Sequence, residues 1–129
     1  PTWPSINGQW LPDTMNQLSP AWKNLLDNKI TIQFIHRGLG YTLLLMVTIW
    51  WIKSKKTRGS PLFIKTKFIP LLLIFVQASL GIVTVLFSPF GNSLVWFGVA
   101  HQFVAILFLM SIVLMLYIIR PTLDGKRYF

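Results

Sequence analysis

The sequence predicts an all-α integral membrane protein with three transmembrane helices. Three observations carry that expectation. Hydrophobic residues make up 53% of the 129-residue chain and charged residues only 12%, about half the charged share of an ordinary soluble domain. The mean hydropathy is +0.59. Apolar residues also gather in three runs, at about 30–52, 68–88 and 94–119, each long enough to cross a bilayer as a helix. The length suits one small bundle over residues 30–129, preceded by a polar and aromatic segment over residues 1–29.

Composition also narrows the chemistry. The formal net charge is +9. Most Lys and Arg lie in short segments beside the apolar runs, so the charge marks membrane topology rather than a nucleic-acid surface. The chain has no Cys and no Glu, and Asp13, Asp27 and Asp124 all lie outside the runs. Disulfides and thiolate sites are excluded, and any carboxylate needed within the membrane must come from elsewhere. No phosphate-binding Gly-rich loop and no nucleophile–base arrangement appears. The chain begins at Pro1 and no signal peptide precedes the first run, which suggests a processed chain or a fragment.

In residues 1–29, Pro4, Gly8 and Pro12 predict turns. Ser19-Pro20 before Ala-Trp-Lys-Asn-Leu-Leu predicts a cap, a proline at the first helical position and a short amphipathic helix. Trp3, Trp10 and Trp22 suit a membrane interface. The segment reads either as a connecting loop or as a cover over a site.

The first run, Ile30 to Ile52, spans roughly 34 Å as a helix. Trp50 and Trp51 mark its far end, and Lys53, Lys55, Lys56 and Arg58 follow. Gly59-Ser60-Pro61 breaks the chain, with Lys65 and Lys67 ahead of the second run. In that run Gln77, Gly81, Thr84 and Ser88 share one helix face, a polar and small stripe that normally faces other helices in lipid. Pro70 is near enough to the helix start to be tolerated. Pro89 to Asn92 predicts a tight turn, and Arg120-Pro121 ends the third run. The 53–67 loop carries six Lys or Arg and no acid, so it and the C-terminal tail, with Lys126 and Arg127, are expected on the cytoplasmic or matrix side. Residues 1–29 and the 89–93 turn are then outside.

Two histidines stand out, because unpaired ionisable residues are costly in a bilayer. His36 lies six residues past Ile30 and His101 seven past Leu94, depths of about 9 and 10 Å from the same side. Parallel helices with histidines at equal depth can present two imidazoles to one metal, and imidazole is an axial haem ligand. Zinc or non-haem iron would need further ligands that the runs lack. Gly40, Gly98 and Ala105 beside the histidines leave room for a flat ring, and Phe97, Phe103 and Phe108 could line it. The alternatives are close helix packing at the small residues and two histidines hydrogen-bonded inside a bundle. Arg37 would snorkel outward, toward haem propionates or lipid headgroups. Gln33 and Gln102 could orient an imidazole, meet a propionate or bridge helices.

Four motifs then resemble one family. Gln33-Phe-Ile-His36-Arg37-Gly-Leu-Gly-Tyr41 is similar to the second histidine-arginine motif of the haem A synthases. Trp3-Pro4-Ser-Ile-Asn-Gly8-Gln-Trp-Leu-Pro12, Gln77-Ala-Ser-Leu-Gly81-Ile-Val-Thr and Ala100-His101-Gln102 match in the family's order. The resemblance implies most of the C-terminal four-helix, haem-binding half, with the missing helix ending just before Pro1. It implies a bis-histidine haem b cofactor on His36 and His101, with Arg37, Gln33 and Gln102 around it. In the complete enzyme the other half, or a homologous half-bundle, takes haem O and oxidises its methyl group to the formyl group of haem A. The proposed catalytic Glu of that other half corresponds here to Gln33, so the chain alone carries no catalytic residue. Membrane lipid is an expected partner, and the resemblance names no electron donor. The expected location is a bacterial plasma membrane or a mitochondrial inner membrane. The alternative reading is a small cytochrome b anchor for electron transfer, and a third is a non-haem membrane scaffold.

Overall fold

The computed structural model describes residues 2–90 and 92–120. The chain folds into α1 (Lys29–Ser54), α2 (Pro61–Thr66), α3 (Ile69–Leu86) and α4 (Asn92–Ile119), with 3-10 turns at Asp13–Asn16, Ala21–Leu25 and Ser88–Phe90. No strand occurs among the described residues, only a lone bridge between Ile6 and Gln9. Lys29–Ser54, Pro61–Leu86 and Val95–Ile119 are each long and apolar enough to cross a membrane. The expected all-α architecture with three long apolar stretches is what the chain adopts. Gly91, inside the turn expected at 89–92, and the tail from Pro121 with Lys126 and Arg127 lie outside the described residues.

The N-terminal segment is a chain of turns tied to α1 by asparagines. Asn7 and Gly8 both take positive φ, at 51° and 84°. Asn-Gly suits that geometry because glycine has no Cβ to clash and Asn tolerates it best among the rest. Ile6 and Gln9 then exchange backbone hydrogen bonds of 2.9 and 3.0 Å across the turn. The helix expected after Pro20 is only a five-residue 3-10 turn. Pro20 is its cap rather than its first residue, and no side chain caps it. Asn24 closes it instead: its amide donates to the Leu18 and Ala21 carbonyls and its Oδ1 accepts from Leu18 N–H.

Asn28 starts α1. Its Oδ1 accepts from the Ile30 and Thr31 amides, which the helix itself leaves unpaired. Its Nδ2 donates outward, to the Thr14 and Met15 carbonyls and to Asn24 Oδ1. Thr31 Oγ1 adds a 2.7 Å bond to the Met15 carbonyl. One side chain therefore caps the helix and holds the preceding segment against it.

At the far end, Lys55 Nζ lies 3.8 Å from the centroid of the Trp51 ring, and Lys67 Nζ donates to the Ser54 carbonyl at 2.9 Å. The second apolar stretch is two helices rather than one. Proline lacks the N–H a helix interior needs and clashes with the carbonyl four residues back. Pro70 is tolerated at the start of α3, so the chain breaks between Thr66 and Ile69. Ahead of the break, Ser60 Oγ accepts from Phe63 N–H and Pro61 opens α2. Gly59 is required by close approach: a Cβ there would lie 2.5 Å from Phe63 Cδ1.

α3 is the central helix, packed mainly on α4 and also on α1. The buried apolar side chains of the helices gather toward the 53–67 end. Val47, Leu71 and Ile74 form one cluster with Leu44, Trp51 and Phe108 around it. Phe63, Met115 and Ile118 form another, beside Trp50 and Ile119. Elsewhere apolar side chains face outward: Leu45, Met46, Leu109 and Met110 are 61–62% exposed. Such surface is tolerable in contact with lipid.

Replacing Asn28 by Ala removes the cap and the loop ties together. We expect a loss of about 2 kcal/mol, the upper end for a helix cap. Limited proteolysis should then cut within residues 13–28 of the variant well before the wild type.

Candidate metal centre

The two histidines meet, although α1 and α4 touch little directly. Their ring centroids are 6.1 Å apart with the planes at 72°. Equal depth on parallel helices thus becomes proximity.

His101, half-buried on α4, is fixed by α3. Its Nδ1 lies 3.1 Å from the Gln77 carbonyl. A carbonyl only accepts, so Nδ1 carries the hydrogen and, in the neutral ring, Nε2 keeps its lone pair. That is the arrangement in which a histidine ligates through Nε2 while its other nitrogen holds the ring's orientation. The lone pair meets the Gln77 side-chain amide, whose Nε2 is 3.1 Å away. Gln77 Oε1 is left as the one buried side-chain polar atom without a partner among the described residues. The imidazole fits because Gly81 has no side chain: a Cβ there would lie 3.1 Å from His101 Cε1. Residues 77 and 81, one turn apart, thus form the seat of the ring.

His36 on α1 is exposed, and a Cβ on Gly40 or on Gly98 would meet nothing within 4 Å. The space beside Gly40 and Gly98 is open. The aromatic lining is less than the sequence suggests. Phe108 packs into the core cluster toward the 53–67 end, Phe97 pairs with Phe87 at 5.5 Å, and Phe103 is 60% exposed. Gln33 and Gln102 are exposed and make no side-chain hydrogen bond among the described residues. The orienting role considered for them falls to Gln77. Sequence reading placed Gln77 on a helix-facing stripe but not on the histidine, because spacing along α3 does not say which residue of α4 lies opposite.

Arg37 reaches toward the N-terminal end of α1, as its helix direction predicts. Its partners are backbone carbonyls: Nη1 donates to Thr2, Pro4 and Ser5 at 3.2, 3.3 and 2.9 Å. Thr2 Oγ1 in turn donates to the Ser5 carbonyl and accepts from Gly8 N–H. The turn over residues 2–9 is thereby clasped beside His36. Nε and Nη2 of Arg37 make no hydrogen bond among the described residues and remain available to a carboxylate.

No three of His, Cys, Asp and Glu come together among the described residues. The donor set is two imidazoles, which suits an iron whose equatorial ligands arrive with a macrocycle and does not suit a four-coordinate zinc.

Residues 1–113 match a family described as cytochrome oxidase assembly protein, COX15-CtaA. The chain is 39% identical over 106 residues to a protein named heme A synthase from Bartonella quintana, covering 81% of this chain and 28% of that one. It is 37% identical over 105 residues to the heme A synthase of Bartonella henselae, covering 81% and 28%. It is 33% identical over 108 residues to that of Brucella suis, covering 84% and 29%. The chain thus spans 28–29% of the length of these relatives. No solved structure matches it.

Two substitutions check the site without any metal. Gly81→Val should push the imidazole off the Gln77 carbonyl, so ring ¹⁵N signals of His101 should move from one Nδ1–H tautomer to a mixture. Arg37→Gln should speed backbone hydrogen exchange over residues 2–9 about tenfold, the scale of one lost charge-assisted hydrogen bond.

Proposed function

The chain belongs to the COX15-CtaA family, the haem A synthases, as a multi-pass membrane protein, and from that premise we propose that it is the cofactor-holding part of such an enzyme. His36 and His101 would hold the iron of a haem b. The observation that carries this reading is the 6.1 Å approach of the two imidazoles, with His101 Nδ1–H engaged and its Nε2 lone pair kept. A bis-histidine haem, when bound, supplies one-electron transfer without an open coordination position.

The chain's residues divide the work of holding it. The Gln77 carbonyl fixes the ring of His101, and the Gln77 amide must release Nε2 for ligation. Gly81 gives the ring its seat. Gly40 and Gly98 keep side chains off the faces beside the histidines. Arg37 offers Nε and Nη2 to a propionate while Nη1 stays on the turn.

The reaction of the complete enzyme, in this proposal, is oxidation of the methyl group of haem O to the formyl group of haem A. Gln33 cannot act as a proton acceptor there, because an amide does not ionise in the accessible range. The carboxylate and the substrate site belong to the other half of the enzyme or to a homologous half-bundle. By the positive-inside rule residues 1–29 would face outward and the 53–67 loop, with its six cations, would face the cytoplasm or matrix.

The test is a reduced-minus-oxidised optical spectrum of the detergent-purified chain, with His36→Ala and His101→Ala beside it. A low-spin b-type spectrum is expected, abolished or turned high-spin by either substitution. Wild-type spectra from both variants would overturn the two-histidine site. A full spectrum together with no haem A from the complete polypeptide would favour a simple electron-transfer cytochrome.

A further inference from the structure

The end of the bundle away from the histidines carries a second feature. A pocket of about 280 Å³ lies between the end of α1, α2 and the end of α4, lined by Trp50, Lys53, Ser54, Thr57, Phe63 and Ile119. Its lining is divided by chemistry. Trp50 and Phe63 meet edge to face at 6.5 Å and make, with Ile119, an apolar wall. Lys53, Ser54 and Thr57 make a polar rim. Ser54 Oγ already donates to the Trp51 carbonyl, whereas the Lys53 ammonium and the Thr57 hydroxyl have no side-chain partner among the described residues.

The surrounding charge is one-sided. Lys53, Lys55, Lys56, Arg58, Lys65 and Lys67 lie in this segment, and no Asp or Glu occurs between residues 28 and 123. Lys55 rests on the Trp51 ring and Lys67 on the Ser54 carbonyl. Lys53, Lys56, Arg58 and Lys65 have no partner among the described residues. A positive-inside loop explains the number of cations. It does not explain an amphipathic pocket beneath them at the end of three apolar helices, the level of lipid headgroups.

We propose that this pocket binds an anionic phospholipid, its phosphate held by Lys53 and Thr57 and its first acyl carbons lying on Trp50, Phe63 and Ile119. A free phosphate would leave the aromatic wall unused. A zwitterionic lipid brings its own cation into a field that already repels it. Basic pockets between membrane helices recognise anionic headgroups on these grounds. The site is independent of the haem reading.

Native mass spectrometry of the full chain decides it, from detergent micelles doped with phosphatidylglycerol or phosphatidylcholine. Phosphatidylglycerol is expected to stay bound in preference, and excess inorganic phosphate should not displace it. Lys53→Gln should weaken retention about fivefold, the scale of one cation near an anionic headgroup. Thr57→Val should weaken it too, and Lys23→Gln, at the other end of the molecule, should not. Equal retention of the two lipids, or equal effects of Lys53→Gln and Lys23→Gln, would overturn the proposal. Displacement of the lipid by inorganic phosphate would identify a phosphate site and also overturn the lipid assignment.

Discussion

In hydrocarbon an imidazole has no water to satisfy it, and the bond from His101 Nδ1 to the Gln77 carbonyl is the constraint on which the site depends. It requires α3 and α4 to pack closely at one level. It requires Gly81 one turn beyond Gln77, since a Cβ would intrude on the ring. It also fixes the tautomer: Nδ1 carries the hydrogen, and Nε2 accepts from the Gln77 side-chain amide. Packing, geometry and chemistry are settled by one contact between two helices.

The bundle is packed unevenly along its length. Its buried clusters and the α2 cap lie toward the 53–67 end. Near the histidines a Cβ on Gly40 or Gly98 would meet nothing within 4 Å, and α1 and α4 are joined chiefly through α3. The apolar core of the helices is thus concentrated at one end of the bundle. The N-terminal segment is tied to α1 at the other end, through Arg37 as well as Asn28 and Thr31.

Much of this was legible in the residues. Apolar runs and flanking cations located three stretches long enough to cross, and the equal depth of His36 and His101 foretold their meeting. The rest depended on contacts that a linear pattern does not encode. Ser60-Pro61 is a helix-start signature, yet it reads as a chain break beside Gly59, and α2 was missed. Ser19-Pro20 carries the same signature, but only a 3-10 turn forms, because no side chain caps it and Asn24 folds the segment back. Gln33 and Gln102 adjoin the histidines in sequence and do not touch them. Gln77, far away in sequence, does. Gln102 points about 100° away from its neighbour His101, and Gln33, one turn before His36, shares its face without bonding to it, so closeness in the chain does not settle which side chains meet across an interface.

The cap at Asn28 has a consequence for the evolution of the chain. It sets the residue at which α1 begins, and His36 follows eight residues later. That interval works as a ruler and as a dial. Each residue along it advances the helix by about 1.5 Å and turns it by about 100°. Inserting one residue between Asn28 and His36 would barely alter depth but would swing His36 out of line with His101. Inserting a whole turn would restore the heading and misplace the level. Between Asn28 and His36 the residue count therefore governs where the imidazole sits relative to His101.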